Sequence, residues 1–139
     1  MNNFTKRLLA GSALGALAGV ACAYGAATHG VPGAFDINSA MFWSIVLNRF
    51  TLGAFVAIMG IITIHPVCKS IKVGPVLRGL KVGVWVSLLM AVGILIAGDA
   101  DRWSAFWTVI VAGAVIGVAI DLIITKLYGQ GKALLDYEA

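Results

Sequence analysis

The chain has 139 residues, of which 60% are hydrophobic and only 12% charged, and its mean hydropathy is +0.98. A domain of that length keeps a large surface for its volume and has nowhere to hide so much apolar side chain, which excludes an ordinary water-soluble globule and makes lipid the solvent for much of the chain. The formal net charge of +4 does not indicate nucleic acid, because the basic residues sit in short runs between apolar stretches, the pattern of topogenic membrane loops.

In chain order, the first apolar run covers residues 8–29 and follows Lys6 and Arg7. At about 20 residues it exceeds the roughly 7 to 15 apolar residues of a secretory signal, so it is expected to remain as the first span. A link over residues 30–39 holds Pro32, Gly33, Asp36 and Asn38, which break helix and favour water. The second span is expected over residues 40–64, closed by His65 and Pro66, and the next loop is basic through Lys69, Lys72 and Arg78, with Gly74 and Pro75 marking its turn. The third span covers residues 79–97, with Lys81 just inside its start. A tight connection carries Asp99 and Asp101, the fourth span covers residues 103–127, and Lys126, Lys132, Asp136 and Glu138 form the polar end. The pattern predicts an all-α integral membrane four-helix bundle, one transmembrane domain whose first solvent partner is the lipid bilayer.

Orientation follows from the distribution of charge. Lys6, Arg7, Lys69, Lys72, Arg78, Lys81, Lys126 and Lys132 fall on one side and Arg102 on the other, so the positive-inside rule puts both termini in the cytoplasm of a multi-pass protein. The minimal aqueous parts suggest a prokaryotic cytoplasmic (inner) membrane. Phe42, Trp43, Trp103, Phe106 and Trp107 gather at the outer ends of spans two and four, where amphipathic rings prefer to lie.

A shift of 64 residues superposes Gly15 on Gly79, Gly19 on Gly83, Phe42-Trp43 on Phe106-Trp107 and Gly53 on Gly117. That periodicity suggests two parallel helical hairpins related by a pseudo-two-fold along the membrane normal. Gly11, Gly15 and Gly19 recur every fourth residue, and Gly113 and Gly117 repeat the spacing. Such small stripes let helix backbones approach closely, within the chain or across a homo-oligomeric seam.

The residues lipid should exclude are Asn48, Arg49 and Asp121, and they form the candidate intramembrane polar site. Arg49 either snorkels outward toward the headgroups or faces a polar interior as the anion-binding group, for which its planar fork is suited. A direct Arg49–Asp121 pair is disfavoured by about 12 Å of helix rise. Lys81 or Arg78 is the expected structural ion-pair partner of Asp121, at the same end of the bundle. Cys22 and Cys68 are expected at different depths and unbridged. His29 and His65 fall at opposite membrane ends, where they cannot share a haem iron. No catalytic, cofactor or metal constellation is recognisable, so no enzymatic activity is expected. Two functions remain: a homo-oligomeric transporter or channel unit with polar residues inside the bundle, or a non-enzymatic accessory or scaffold subunit bound to an unidentified membrane protein partner.

Overall fold

The computed structural model describes residues 2–63, 73–97 and 101–134. It contains four helices, α1 (Asn3–Thr28), α2 (Ala40–Met59), α3 (Pro75–Ala97) and α4 (Arg102–Tyr128), followed by a short 3-10 turn at Gly131–Leu134. Each helix is long and apolar enough to cross a membrane, so the expected all-α, four-helix architecture is the one observed. The His65-Pro66 stop, Cys68, Lys69, Lys72, Asp99, Asp136 and Glu138 lie outside the described residues.

Helix boundaries depart from the apolar runs for local reasons. α1 begins well before Leu8 because the Asn2 side chain accepts a hydrogen bond from the Thr5 amide at 2.8 Å, satisfying one of the free N–H groups of the first turn. Lys6 and Arg7 thereby belong to the helix and not to a flanking segment. α2 stops at Met59 instead of running to residue 64. Its end is drawn into contacts outside the helix: the Gly131 amide donates to the Gly60 carbonyl and the Val73 amide to the Thr63 carbonyl, each at 2.9 Å. α3 starts four residues earlier than expected, with Pro75 as its first residue. Proline suits that position, since its fixed φ is helical and the N–H it lacks would have no partner there.

The helices pair as two antiparallel hairpins, with α1 packed chiefly on α2 and α3 on α4. Glycine brings the backbones together in both. A Cβ on Gly15 would collide with the Arg49 carbonyl and one on Gly53 with the Gly11 carbonyl. In the second hairpin, a Cβ on Gly83 would collide with the Gly113 carbonyl and one on Gly117 with the Gly79 carbonyl. These contacts equate Gly11 and Gly15 with Gly79 and Gly83, 68 residues on, and Arg49 and Gly53 with Gly113 and Gly117, 64 residues on. The 64-residue shift therefore describes the second helix of each hairpin, and the first helices correspond one helical turn away from it. Ala23 and Ala91, both fully buried, are equated by the same 68-residue step. The expected packing glycines thus have their faces occupied inside the chain.

Between the hairpins, Leu52, Val56, Ala57, Val82, Ile120 and Ile124 make one apolar cluster. Toward the end where α2 and α4 begin, Ala23, Ala34 and Ile45 form a second and Ala91, Phe106 and Ile110 a third. The link between α1 and α2 is folded rather than loose. Gly30 and Gly33 take positive φ, Ser39 caps α2 through a 3.1 Å bond from the Met41 amide, and the Trp43 indole donates to the Ile37 carbonyl at 2.8 Å. Trp43, Trp103 and Trp107 are exposed, and edge-to-face ring contacts join Phe42 to Trp43 and Phe106 to Trp107.

Polarity runs opposite to that of a soluble bundle. Leu89 and Ile96 are 80% and 81% exposed, whereas Arg7, Arg49, Arg78, Ser87 and Asp121 are buried. An apolar exterior around buried charge is the arrangement expected where lipid, and not water, surrounds the helices.

Candidate functional site

The buried polar residues fall into two layers at the junction of the hairpins. At the end formed by the starts of α1 and α3, the Asp121 carboxylate receives two guanidinium groups. Arg7 Nη2 donates to Oδ1 at 2.6 Å, while Arg78 binds side-on, Nε to Oδ2 at 2.7 Å and Nη2 to Oδ1 at 2.8 Å. The Thr125 hydroxyl, one turn along α4, donates to Oδ1 at 3.0 Å and accepts from Arg7 Nη1 at 3.0 Å and Arg78 Nη2 at 3.1 Å.

Backbone carbonyls take most of the remaining donors. Arg7 Nε donates to the Ala57 carbonyl at 3.1 Å and Nη1 to that of Gly129 at 2.8 Å. Arg78 Nη1 reaches the Ile62 carbonyl and Gln130 Oε1, both at 3.2 Å. All five N–H groups of Arg78 and four of the five on Arg7 are engaged, and the cluster draws on all four helices. Gly60 leaves room for the Arg7 guanidinium, which would have to shift to admit a Cβ there, 2.5 Å from Cζ and 2.7 Å from Nη2. Lys81, the other expected partner of Asp121, is exposed, and the pairing falls to Arg78 and to Arg7.

The second layer is centred on Arg49, midway along α2 and 3% exposed. Its guanidinium does not run outward to the headgroup level. It crosses the junction, where Nη1 donates to Ser87 Oγ at 2.5 Å on α3 and to Asn48 Oδ1 at 3.3 Å, and Nη2 donates to the Val109 carbonyl at 3.2 Å on α4. Asn48 adds a 3.2 Å bond to the Val86 carbonyl. Arg49 Nε is buried and has no hydrogen-bond partner among the described residues. Of the two courses open to Arg49, these bonds follow the inward one, and Gly113 leaves room for the Ser87 hydroxyl that receives it: a Cβ on Gly113 would overlap Ser87 Oγ and lie 2.7 Å from its Cβ. Arg49 and Asp121 belong to different layers and make no contact with each other.

Both layers exploit the correspondence between hairpins. Arg49 corresponds to Gly113 and Asp121 to Ala57 at the 64-residue step, and Arg78 to Ala10 at the 68-residue step. These three side chains each have a small residue as counterpart in the other hairpin, so the junction accommodates them without a clash between equivalent groups, whereas Arg7 corresponds to Pro75. Arg7, Ser87 and Thr125 are the site residues the linear sequence conceals. The Asp121-to-Thr125 spacing on one helical face and the shared end of Arg7 and Arg78 are the signals that point to them.

Charge is unequal across the site. Among the described buried residues three are arginines and one is a carboxylate. Asp121 serves Arg7 and Arg78 together, and Arg49 is held by neutral acceptors alone. A guanidinium taken out of water without a counter-charge is costly unless its donors are satisfied, and among the described residues Arg49 has a donor left over while those of Arg78 are all engaged. Fold and site define a small protein of four helices, each long and apolar enough to cross a membrane, with a charged interior. No protein-family model, curated protein or solved structure matches the chain.

Proposed function

We propose that the protein is a non-enzymatic, homo-oligomeric transport or channel unit for small anions in a prokaryotic cytoplasmic membrane, with both termini cytoplasmic. The observation that carries this reading is Arg49: a buried cation at the hairpin junction, turned inward, held by neutral groups and retaining an unpartnered Nε. The hairpins are zipped internally by rigid backbone contacts and joined to each other largely through side chains, so the junction is where a path for a polar solute would open. Asp121 belongs to the latch at the other layer and not to the path. The excess of Lys and Arg at the starts of α1 and α3 supports the orientation, and the narrowness of one four-helix bundle supports oligomerisation.

A second reading, an accessory or scaffold subunit, draws on the saturation of Arg78. A cluster that satisfies its own hydrogen-bond donors needs no solute to explain it. Native mass spectrometry with cross-linking, on protein extracted gently from its own membrane, separates the two. A homo-oligomer free of other chains is expected, and a foreign subunit present in fixed stoichiometry would overturn the transport reading in favour of the scaffold.

A further inference from the structure

Resting on the reading of Arg49 as the anion-facing group, we infer that its ligand is a small planar oxyanion, such as a monocarboxylate, that presents two coplanar oxygens to one edge of the guanidinium. Arg49 makes three hydrogen bonds, two from Nη1 and one from Nη2. Of its five N–H groups, the one on Nε and one of the two on Nη2 therefore have no partner among the described residues. Nε and Nη2 share an edge of the guanidinium plane, and that edge matches a carboxylate bond for bond.

The same chain shows how such an edge is filled. Arg78 presents Nε and Nη2 to the two oxygens of Asp121 at 2.7 and 2.8 Å. In the Arg49 layer no acid stands at that edge among the described residues, and no described buried carboxylate other than Asp121 exists to supply one. Nη1 is fixed by Ser87 and Asn48 and Nη2 by the Val109 carbonyl, which orients the guanidinium plane while leaving Nε without a partner among the described residues. Because Arg49 is 3% exposed, any occupant of this edge has to enter as the hairpins part, and a free anion of a few atoms needs a smaller opening than a side chain carried by another protein. A spherical halide satisfies the charge but not the two parallel donors, so planar oxyanions bind more tightly than chloride.

The test is thermal unfolding of the purified full-length protein in detergent, titrated with sodium formate or sodium nitrate against sodium chloride at equal ionic strength. Saturable stabilisation by formate and nitrate beyond that by chloride is expected in the wild type. Arg49→Lys keeps the charge but has no fork, and is expected to weaken the planar-anion effect about tenfold or more while leaving the chloride response in place. Wild-type protein that responds alike to all three salts overturns the inference whether or not the variant folds, and so does undiminished formate binding in Arg49→Lys. Vesicle flux of the same anions separates this inference from the function it rests on. Binding without flux removes the transport reading and leaves the ligand assignment standing. Arg49-dependent flux of chloride without planar-anion selectivity does the reverse.

Discussion

Replacing Asp121 with asparagine is expected to lower the unfolding free energy by about 3–5 kcal/mol, the usual cost of removing one partner from a buried ion pair. The substitution conserves volume, so no cavity term enters. What changes is charge: Arg7, fully buried, and Arg78, 2% exposed, remain packed together with no carboxylate between them. The new amide also turns a donor toward one of the guanidiniums where an acceptor stood. Reversible unfolding in mixed micelles measures the loss, with Lys81→Gln as a control on an exposed residue at the same end, expected to fall within about 0.5 kcal/mol of wild type. A triple variant, Arg7→Met with Asp121→Leu and Arg78→Met, should recover much of the stability, since apolar residues of similar volume can replace a buried charge cluster at little cost. If Asp121→Asn were as stable as the Lys81→Gln control, the cluster would not be the latch that joins the hairpins.

The second large effect is expected at the helix crossing. Gly53→Ala should destabilise by about 1–3 kcal/mol, as overpacking does elsewhere. Its new methyl would overlap the Gly11 carbonyl and lie 2.9 Å from the Gly11 carbonyl carbon and 3.0 Å from Gly15 Cα. All three neighbours are backbone, so no rotamer change relieves the contact and α1 must move away from α2. Because Arg7 and Arg49 sit on the two helices of this crossing, the shift should also disturb both polar layers. Gly93→Ala supplies the comparison, for nothing lies within 4 Å of a Cβ at that position. Alanine there is expected to be neutral or slightly stabilising, since it favours helix over glycine. Equal stability of the Gly53 and Gly93 variants would contradict the close backbone crossing.

The four helices were legible from hydropathy because a span needs about 20 apolar residues, and no other element uses that pattern. Arg78 was legible as a partner of Asp121 because both fall near the same end of the bundle. Arg7 was not, since its place beside Lys6 makes it look like a topogenic charge. Only the Asn2 cap, which starts the helix early, and the bare backbone of Gly60 bring it inside. The inward course of Arg49 was one of two that its depth allows, and the Ser87 hydroxyl across the junction, in the space Gly113 leaves for it, separates them. Pro75 marks both a turn and the first position of a helix, and the contacts of α3 select the second. The internal correspondence was visible in the Phe-Trp pairs of α2 and α4, whereas the four-residue offset of the first helices emerges only when glycines are matched by contact.

Anion flux into proteoliposomes, compared between wild type and Arg49→Gln after both are shown to be folded, tests the proposed role of the hairpin junction most directly. Formate, nitrate and chloride are followed by light scattering against protein-free vesicles, with Lys81→Gln as a control for surface charge. The account predicts flux above background in wild type and in Lys81→Gln, and its loss in a folded Arg49→Gln protein. Flux that is unchanged by Arg49→Gln, or a wild type no more permeable than protein-free vesicles to any of the three anions, would contradict it.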